Sequence, residues 1–209
     1  VTPFICIETF GSFLLDYLGI TDIESMSELD WFSLSEHKLL AVASGKLFLD
    51  NLNLKATLQK LAFYPEKVKL YLIASQWAII AEEQAFQKRC GMHGDELGGR
   101  IICARIAERL MRLCFLYQNR YAPYSKWFGT AFGELPVDPR IKEVLTAALA
   151  ANDTNEREDR LVEAQAAVAA LHNECALTEP VELSVHSYFD RDIKVISAEN
   201  FAIAAANKL

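Results

Sequence analysis

The chain has 209 residues, of which 52% are hydrophobic and 23% charged, and its formal net charge is −7. This balance predicts a folded protein with a substantial core rather than a disordered chain. The acidic excess argues against general duplex nucleic-acid binding, which needs a basic surface. No apolar run reaches the roughly 20 residues of a membrane span. The five cysteines form no C-x-x-C pair, which favours free thiols and a cytoplasmic location.

The pattern at residues 1–60 predicts a connecting segment of short mixed elements, ahead of a helical domain at residues 61–209. In chain order, the pattern predicts a strand at residues 4–10, a helix at residues 11–18, a helix from Ser35 to Gly45, a strand at residues 46–50 and a short helix up to Leu61.

Two long helices dominate the predicted second part of the chain, at residues 65–89 and 96–119. The first is apolar around most of its circumference, which is typical of a central helix. A short glycine-containing connection makes the two helices antiparallel neighbours. Shorter helices are predicted at residues 123–132, 139–152, 154–175 and 198–207, with an extended stretch at 194–196. We therefore expect a mainly α fold, a bundle around the two long helices with at most minor strands.

Two acidic residues, Glu82 and Glu83, end the first long helix, and Arg100 lies near the start of the second. On the helical wheel, Arg100 projects on the same side as Ala104 and Ala107, which is apolar. Because a buried arginine needs a carboxylate, we expect Arg100 to be buried against Glu82 or Glu83. Such a pair either fixes the register of the helices or lines a pocket.

Three arginines, at positions 105, 109 and 112, fall within about 60° of one another on the second long helix. Glu108 lies beside them. The stripe is therefore either a solvated helix face or a surface that faces an anion, with Arg105 and Arg109 as candidate ligand contacts.

The run R-Y-A-P-Y-S-K-W-F-G from Arg120 places a proline where a helix begins. If Pro123 occupies the first helical position, unpaired backbone N–H groups point outward at the positive end of the helix dipole. Trp127 and Phe128 would anchor the turn in the core. An ammonium and three hydroxyls lie at the same end, on Lys126, Tyr121, Tyr124 and Ser125. This pattern is typical of a phosphate grip, although an aromatic helix start also serves packing alone.

His172 projects to the same side of its helix as Leu161 and Val168, so we expect it to face inward, either as a core residue or in a pocket beside Asn173. The histidines and cysteines show no metal-ligand spacing. Gly11-Ser12 followed by Asp22 and Glu24 loosely fits a nucleotidyltransferase metal site. Polar residues interrupt the strand that such a site requires, and we expect a loop there instead.

Several runs of residues resemble one known family. They are W-A-I-I-A-E-E-Q-A-F from Trp77, G-x-x-G-D-E-L-G-G-R from Gly91, R-L-M-R-L-C-F-L from Arg109 and Y-A-P-Y-S-K-W-F-G-T-A-F from Tyr121. With them the chain resembles the bacterial domain of unknown function 4037. Weaker similarity follows at E-R-E (156–158), H-N (172–173) and T-E-P (178–180), so that the resemblance spans residues 60–205.

Members of that family resemble nucleotidyltransferases, with a head that carries Gly-Ser and Asp-x-Asp motifs followed by this helical half. The resemblance implies that the helical half closes over the nucleotide and that Lys126 and Tyr124 contact its phosphates. The head, which we expect to lie upstream and outside this chain, would hold Mg²⁺ and perform catalysis. We therefore expect no catalytic residue, metal site or cofactor within this chain.

The predicted ligand is a nucleoside triphosphate or a small-molecule acceptor. The alternative is a non-catalytic helical protein-interaction module, in which the buried polar groups only fix packing. The predicted nucleotide- or acceptor-binding residues are Lys126, Tyr124, Tyr121, Ser125, Arg100, Glu82, Glu83, Arg105, Arg109, His172 and Asn173.

Overall fold

The computed structural model describes residues 5–209. These residues are mainly helical, with one two-stranded antiparallel sheet, which confirms the predicted fold class. The helices are α1 (Phe10–Phe13, continued by a π-helical turn Leu14–Leu18), α2 (Glu28–Ser33), α3 (Glu36–Ala43), α4 (Leu54–Gln59), α5 (Glu66–Glu83), α6 (Phe86–Met92), α7 (Glu96–Tyr117), α8 (Ser125–Phe132), α9 (Pro139–Ala150), α10 (Thr154–Glu174) and α11 (Ala198–Ala206). The strands are β1 (His186–Ser187) and β2 (Lys194–Val195).

The two strands predicted within the N-terminal segment are wrong where the structure describes them. Residue 4 lies outside the described residues, residues 5–9 are irregular, and α1 begins at Phe10. Residues 46–50 are also irregular, and Phe48 within them is 86% exposed. A strand needs a neighbour for its backbone hydrogen bonds, and β1 and β2 pair only with each other.

Helix α5 forms the centre of the larger hydrophobic core, packed against α7 on one side and α11 on another. The predicted pairing of the two long helices is confirmed. Trp77 of α5 is fully buried, stacks on Phe201 with ring centroids 4.9 Å apart, and donates from Nε1 to Tyr117 Oη at 2.8 Å. The all-round apolar character of α5 follows from this central position.

A second, smaller hydrophobic core lies under the N-terminal segment and includes Trp31, Leu39 and Leu61. Phe63 and Tyr64, just before α5, pack against both cores. The N-terminal elements therefore share their packing with the helical domain.

The first long helix ends earlier than predicted. Instead of running from residue 65 to 89, it stops at Glu83, and a separate helix α6 begins at Phe86. The Gln84 side chain at the break accepts a hydrogen bond from Ile196 N at 3.2 Å and donates to Ala81 O at 3.4 Å. No glycine or proline lies at this position to indicate the break in the sequence, and Ile196, one of the two hydrogen-bond partners, lies far away in the chain.

All five cysteines are free thiols, and Cys103 and Cys114 are buried, as predicted. Among residues 5–209, no helix is long and apolar enough to cross a membrane.

Candidate functional site

The site begins at the N-terminus of α8, where Tyr124 is the N-cap residue and Ser125 the first helical residue. Pro123 therefore precedes the helix and does not occupy its first position as predicted. The Tyr124 side chain makes no capping bond to the helix. The N–H groups of the first turn, at Ser125 and Lys126, have no intrahelical partner and carry the positive end of the dipole.

Two aromatic side chains are exposed at this helix start. Tyr124 is 52% exposed and Trp127 is 47% exposed, so the predicted burial of Trp127 is wrong. Trp127 Nε1 donates to Tyr124 Oη at 2.9 Å, and Lys126 Nζ lies 5.0 Å from the centroid of the Trp127 ring. Adjacent helical residues project about 100° apart, so only one of two neighbours faces the core. That residue is Phe128, which stacks on Phe115 with centroids 5.4 Å apart.

The predicted cluster of three hydroxyls is not formed, because Tyr121 is buried at 3% exposure. Its hydroxyl donates to Leu61 O at 3.2 Å, and burial raises its pKa well above the usual range. The backbone of the next residue is also held by a hydrogen bond, since Ala122 N donates to Glu36 Oε1 at 2.9 Å. Burial raises the pKa of Glu36, against the lowering effect of that hydrogen bond and of Arg112. Tyr121 and Ala122 therefore anchor the turn that presents Tyr124.

A concavity of about 970 Å³ lies between α3, the end of α7 and α8. We call it the Tyr124 concavity, and its wall includes Tyr17, His37, Arg120, Tyr124, Trp127 and Glu134. Arg120 is exposed and makes no ion pair within 4.0 Å among residues 5–209. Tyr124 and Ser125 also border a second concavity of about 710 Å³. Lys126 lies beside the Tyr124 concavity, over Trp127, and does not line it.

Arg120 and His37 were not among the predicted binding residues. The only feature of the sequence that could have indicated a binding role for Arg120 is its position directly before the Y-A-P-Y run. His37 comes from α3, far earlier in the sequence, and its Nδ1 lies 2.9 Å from Ser35 Oγ. Only the packing of α3 beside α8 brings these two side chains to one surface.

Arg100 does not meet the acidic end of α5, and that prediction is wrong. Its side chain is 40% exposed, Nε donates to Glu96 Oε1 at 2.7 Å, and an Nη atom donates to Asn152 Oδ1 at 3.1 Å. The break at the end of α5 inserts α6, and α6 packs against the start of α7. The carboxylate of Glu83 therefore pairs with Arg105, further along α7, while Glu82 is exposed.

The arginine stripe on α7 is mostly paired within the protein. Besides Arg105 with Glu83, Arg112 bonds to Glu108 at 2.9 Å and to Glu36 at 3.4 Å. Arg109 donates to the Gln76 amide oxygen at 3.4 Å and makes no ion pair within 4.0 Å among residues 5–209. The stripe thus joins α7 to α5 and α3, and it lies outside the Tyr124 concavity.

The predicted inward orientation of His172 is confirmed, since it is 1% exposed. Tyr117 Oη accepts the hydrogen bond from Trp77 Nε1–H, and its own hydroxyl donates to His172 Nδ1 at 2.9 Å. The Thr178 hydroxyl donates to Glu179 O, so it accepts from His172 Nε2–H at 2.9 Å. The imidazole is thereby neutral, and burial lowers its pKa to about 4. The amide of Asn173 donates to Val181 O and accepts from Val181 N. Both side chains hold the segment after α10 and border none of the concavities described above.

Two ion pairs at the contact between α6, α7 and α10 bring together two of the sequence motifs. The guanidinium of Arg157, 1% exposed, bonds to both carboxylate oxygens of Glu96 at 2.6 and 3.2 Å. Nearby, Lys88 Nζ lies 3.1 Å from Glu158, and their side chains are 9% and 6% exposed. Gly99 lies close to α6, since an added Cβ would lie 3.3 Å from Gln87 O. Residues of the E-R-E and G-D-E-L-G-G-R runs therefore stabilise the packing of α6 and α7 against α10.

The loosely matching metal site near the start of the chain is not assembled. Gly11 and Ser12 lie in α1, where Ser12 bonds to Thr9, and Asp22 accepts a hydrogen bond from Glu24 N at 3.1 Å in a turn. Within residues 5–209, no group of three or more His, Cys, Asp or Glu side chains is placed to hold a metal ion.

Part of the chain is similar to a known protein family. The family model described as Domain of unknown function (DUF4037) matches residues 31–128, which run from α2 to the first half of α8. No curated protein and no solved structure matched the chain. The match begins earlier and ends earlier than the predicted span of 60–205, and it contains α5, α7 and the Y-A-P-Y-S-K-W-F run. The sequence motifs predicted this family, and its model matches residues 31–128.

Proposed function

We propose that this chain is the helical nucleotide- or acceptor-binding half of a nucleotidyltransferase-like protein, with the ligand bound in the Tyr124 concavity. The observation that carries the proposal is the exposed pair Tyr124–Trp127 at a helix N-terminus, beside Arg120, which has no ion-pair partner among the described residues. Catalysis would require a separate Gly-Ser/Asp-x-Asp head with Mg²⁺.

The chemistry of this surface suits a nucleoside triphosphate in two ways. An exposed aromatic ring offers a stacking face for a base, which contributes about 1–3 kcal/mol per base. Arg120, Lys126 and the free N–H groups of α8 offer charge-assisted hydrogen bonds to phosphate, each worth about 1.5–3 kcal/mol. The volume of about 970 Å³ also falls in the range of small-ligand sites.

Tryptophan fluorescence tests the proposal directly. Of the three tryptophans, Trp31 and Trp77 are 6% and 0% exposed, so a ligand that stacks in the concavity acts mainly on Trp127. We expect ATP with Mg²⁺ to change the emission saturably.

Three single variants and one control locate the ligand. Tyr124→Ala, Arg120→Ala and Lys126→Ala are each expected to weaken ATP binding about tenfold or more, since each loses at least ~1.4 kcal/mol of interaction. Lys67→Ala removes a lysine that is also exposed but lies on α5, outside the concavity, and should leave the affinity unchanged. Unchanged affinity in both Tyr124→Ala and Arg120→Ala refutes the site, and unchanged affinity in Lys126→Ala alone removes the phosphate role of that lysine.

A second candidate, a non-catalytic helical interaction module, is favoured by a different observation. The loop between α3 and α4 exposes Phe48, Leu49 and Leu52 at 86%, 74% and 77%. Clustered exposed apolar side chains often mark protein contacts. If ATP causes no saturable change in the emission of Trp127, the interaction-module hypothesis becomes the better account of the domain.

A further inference from the structure

A third concavity, of about 890 Å³, lies apart from the Tyr124 concavity and shares none of its lining residues. We call it the hairpin concavity because the β1–β2 hairpin forms one wall. Ile79 of α5 and Ala202 and Ile203 of α11 form an apolar wall. His186 ties the hairpin to α11, since its Nε2 lies 2.6 Å from Ser197 Oγ. The volume is that of a site for a small molecule.

The charged groups in the wall of the hairpin concavity are carboxylates. Among the described residues, Glu82 and Glu199 line it, no Lys or Arg does, and both carboxylates are exposed. Glu199 accepts a hydrogen bond from the Gln84 amide at 3.4 Å, and neither glutamate forms an ion pair within residues 5–209. Glu199 lies in the first turn of α11, where the helix dipole favours an acid. Glu82 lies in the last turn of α5, where the dipole disfavours an acid.

Two aromatic rings complete the hairpin concavity. Tyr188 and Phe189 contact each other edge to face, with centroids 4.7 Å apart. Phe189 is 80% exposed and has φ +56°, a left-handed conformation that a non-glycine residue adopts at an energetic cost. The hydrogen bond from Tyr188 N to Ile193 O at 2.7 Å holds the turn in this shape. Residues in strained backbone conformations are often found at ligand-binding sites.

We propose that the hairpin concavity binds a small organic cation, an ammonium group attached to an apolar body. The ammonium would lie between Glu82 and Glu199 and against the aromatic faces, which attract cations. The apolar body would contact Ile79 and Ile203. Charge complementarity selects this class of ligand. The two carboxylates would repel an anion, and a neutral apolar molecule would gain no electrostatic attraction from them. The proposal does not depend on the Tyr124 concavity.

Phenethylammonium and its neutral analogue 2-phenylethanol test the proposal, followed by backbone amide shifts in ¹H–¹⁵N NMR spectra of the full chain. We expect saturable shifts at Tyr188, Phe189 and Ile203 with phenethylammonium, and at least tenfold weaker binding of 2-phenylethanol. Glu82→Gln should weaken phenethylammonium binding about tenfold. Glu143→Gln, which changes an exposed glutamate outside the concavity, should leave it unchanged.

A second variant separates binding from folding. Phe189→Gly removes the aromatic face and relieves the left-handed strain, so we expect weaker binding together with a higher melting temperature. Equal affinity for phenethylammonium and 2-phenylethanol, or unchanged affinity in Glu82→Gln, overturns the proposal. So does the lack of any saturable shift up to about 10 mM phenethylammonium, a concentration that would nearly saturate a site with a Kd of about 1 mM.

Discussion

His172 gives the protein a pH-dependent stability that can be calculated from its surroundings. The imidazole is neutral and buried, with both ring nitrogens hydrogen-bonded, to Tyr117 and Thr178. Burial lowers its pKa from 6.5 to about 4. Below pH 6.5 the unfolded chain binds a proton at this residue that the folded protein does not bind, so acid favours unfolding. The contribution of His172 is therefore fully present above pH 6.5 and is lost as the pH falls towards 4.

The size of this loss follows from the two pKa values. The complete difference is about 3 kcal/mol, and about 2 kcal/mol of it is already lost at pH 5 relative to pH 8. Urea unfolding of wild-type protein and His172→Gln, measured at several pH values between 4 and 8, isolates the effect. Glutamine cannot titrate, so His172→Gln should be less stable than wild type at pH 8, with the difference shrinking by about 2 kcal/mol at pH 5.

The control for this experiment is His93→Gln, because His93 is exposed. The same series of unfolding curves for His93→Gln shows what the replacement of an exposed histidine alone does to the free energy of unfolding. Carboxylates such as Asp153, whose pKa is lowered by hydrogen bonds from backbone N–H groups, also lose stabilisation in acid, but wild type and variant share this loss. A His172→Gln difference that stays constant from pH 8 to pH 5 refutes the reasoning.

Two further predictions concern stability and use matched pairs of variants. Lys88→Met should cost about 3–5 kcal/mol, because it leaves the buried carboxylate of Glu158 without its cation. Lys60→Met, whose partner Glu24 is exposed, should cost at most about 1 kcal/mol in the same denaturant titration, and similar costs would contradict the role of burial. Gly91→Ala should destabilise the protein by about 1–3 kcal/mol, because the new Cβ would overlap the side chain of Thr154. Gly129→Ala, in α8 with open space around it, should stabilise the protein by about 0.5–1 kcal/mol, because alanine restricts the unfolded chain more than glycine does. A lower melting temperature of this variant would contradict that reasoning.

Local sequence signals predicted most helix positions and several of their ends. Ser35 precedes α3, Asp138 with Pro139 begins α9, and the segment at Thr154 begins α10, each as expected from its residue types. The helical period also placed His172 inside correctly, because its neighbours on one helix face are apolar. These features depend on residues close in the chain, which is why the sequence alone was sufficient for them.

The partners of charged and aromatic residues were decided by the tertiary structure. The helical period shows which side of a helix Arg100 occupies, but its partner depends on the axial register of neighbouring helices, and the break after Glu83 changed that register. The same limit applied to Trp127 and Phe128, since only the position of Phe115 determined which ring is buried. Both concavities combine elements far apart in the chain, such as α3 with α8 and α5 with the hairpin. The sequence therefore determined most of the helices and the similarity to one family, while packing between distant helices determined the surfaces to which a ligand could bind.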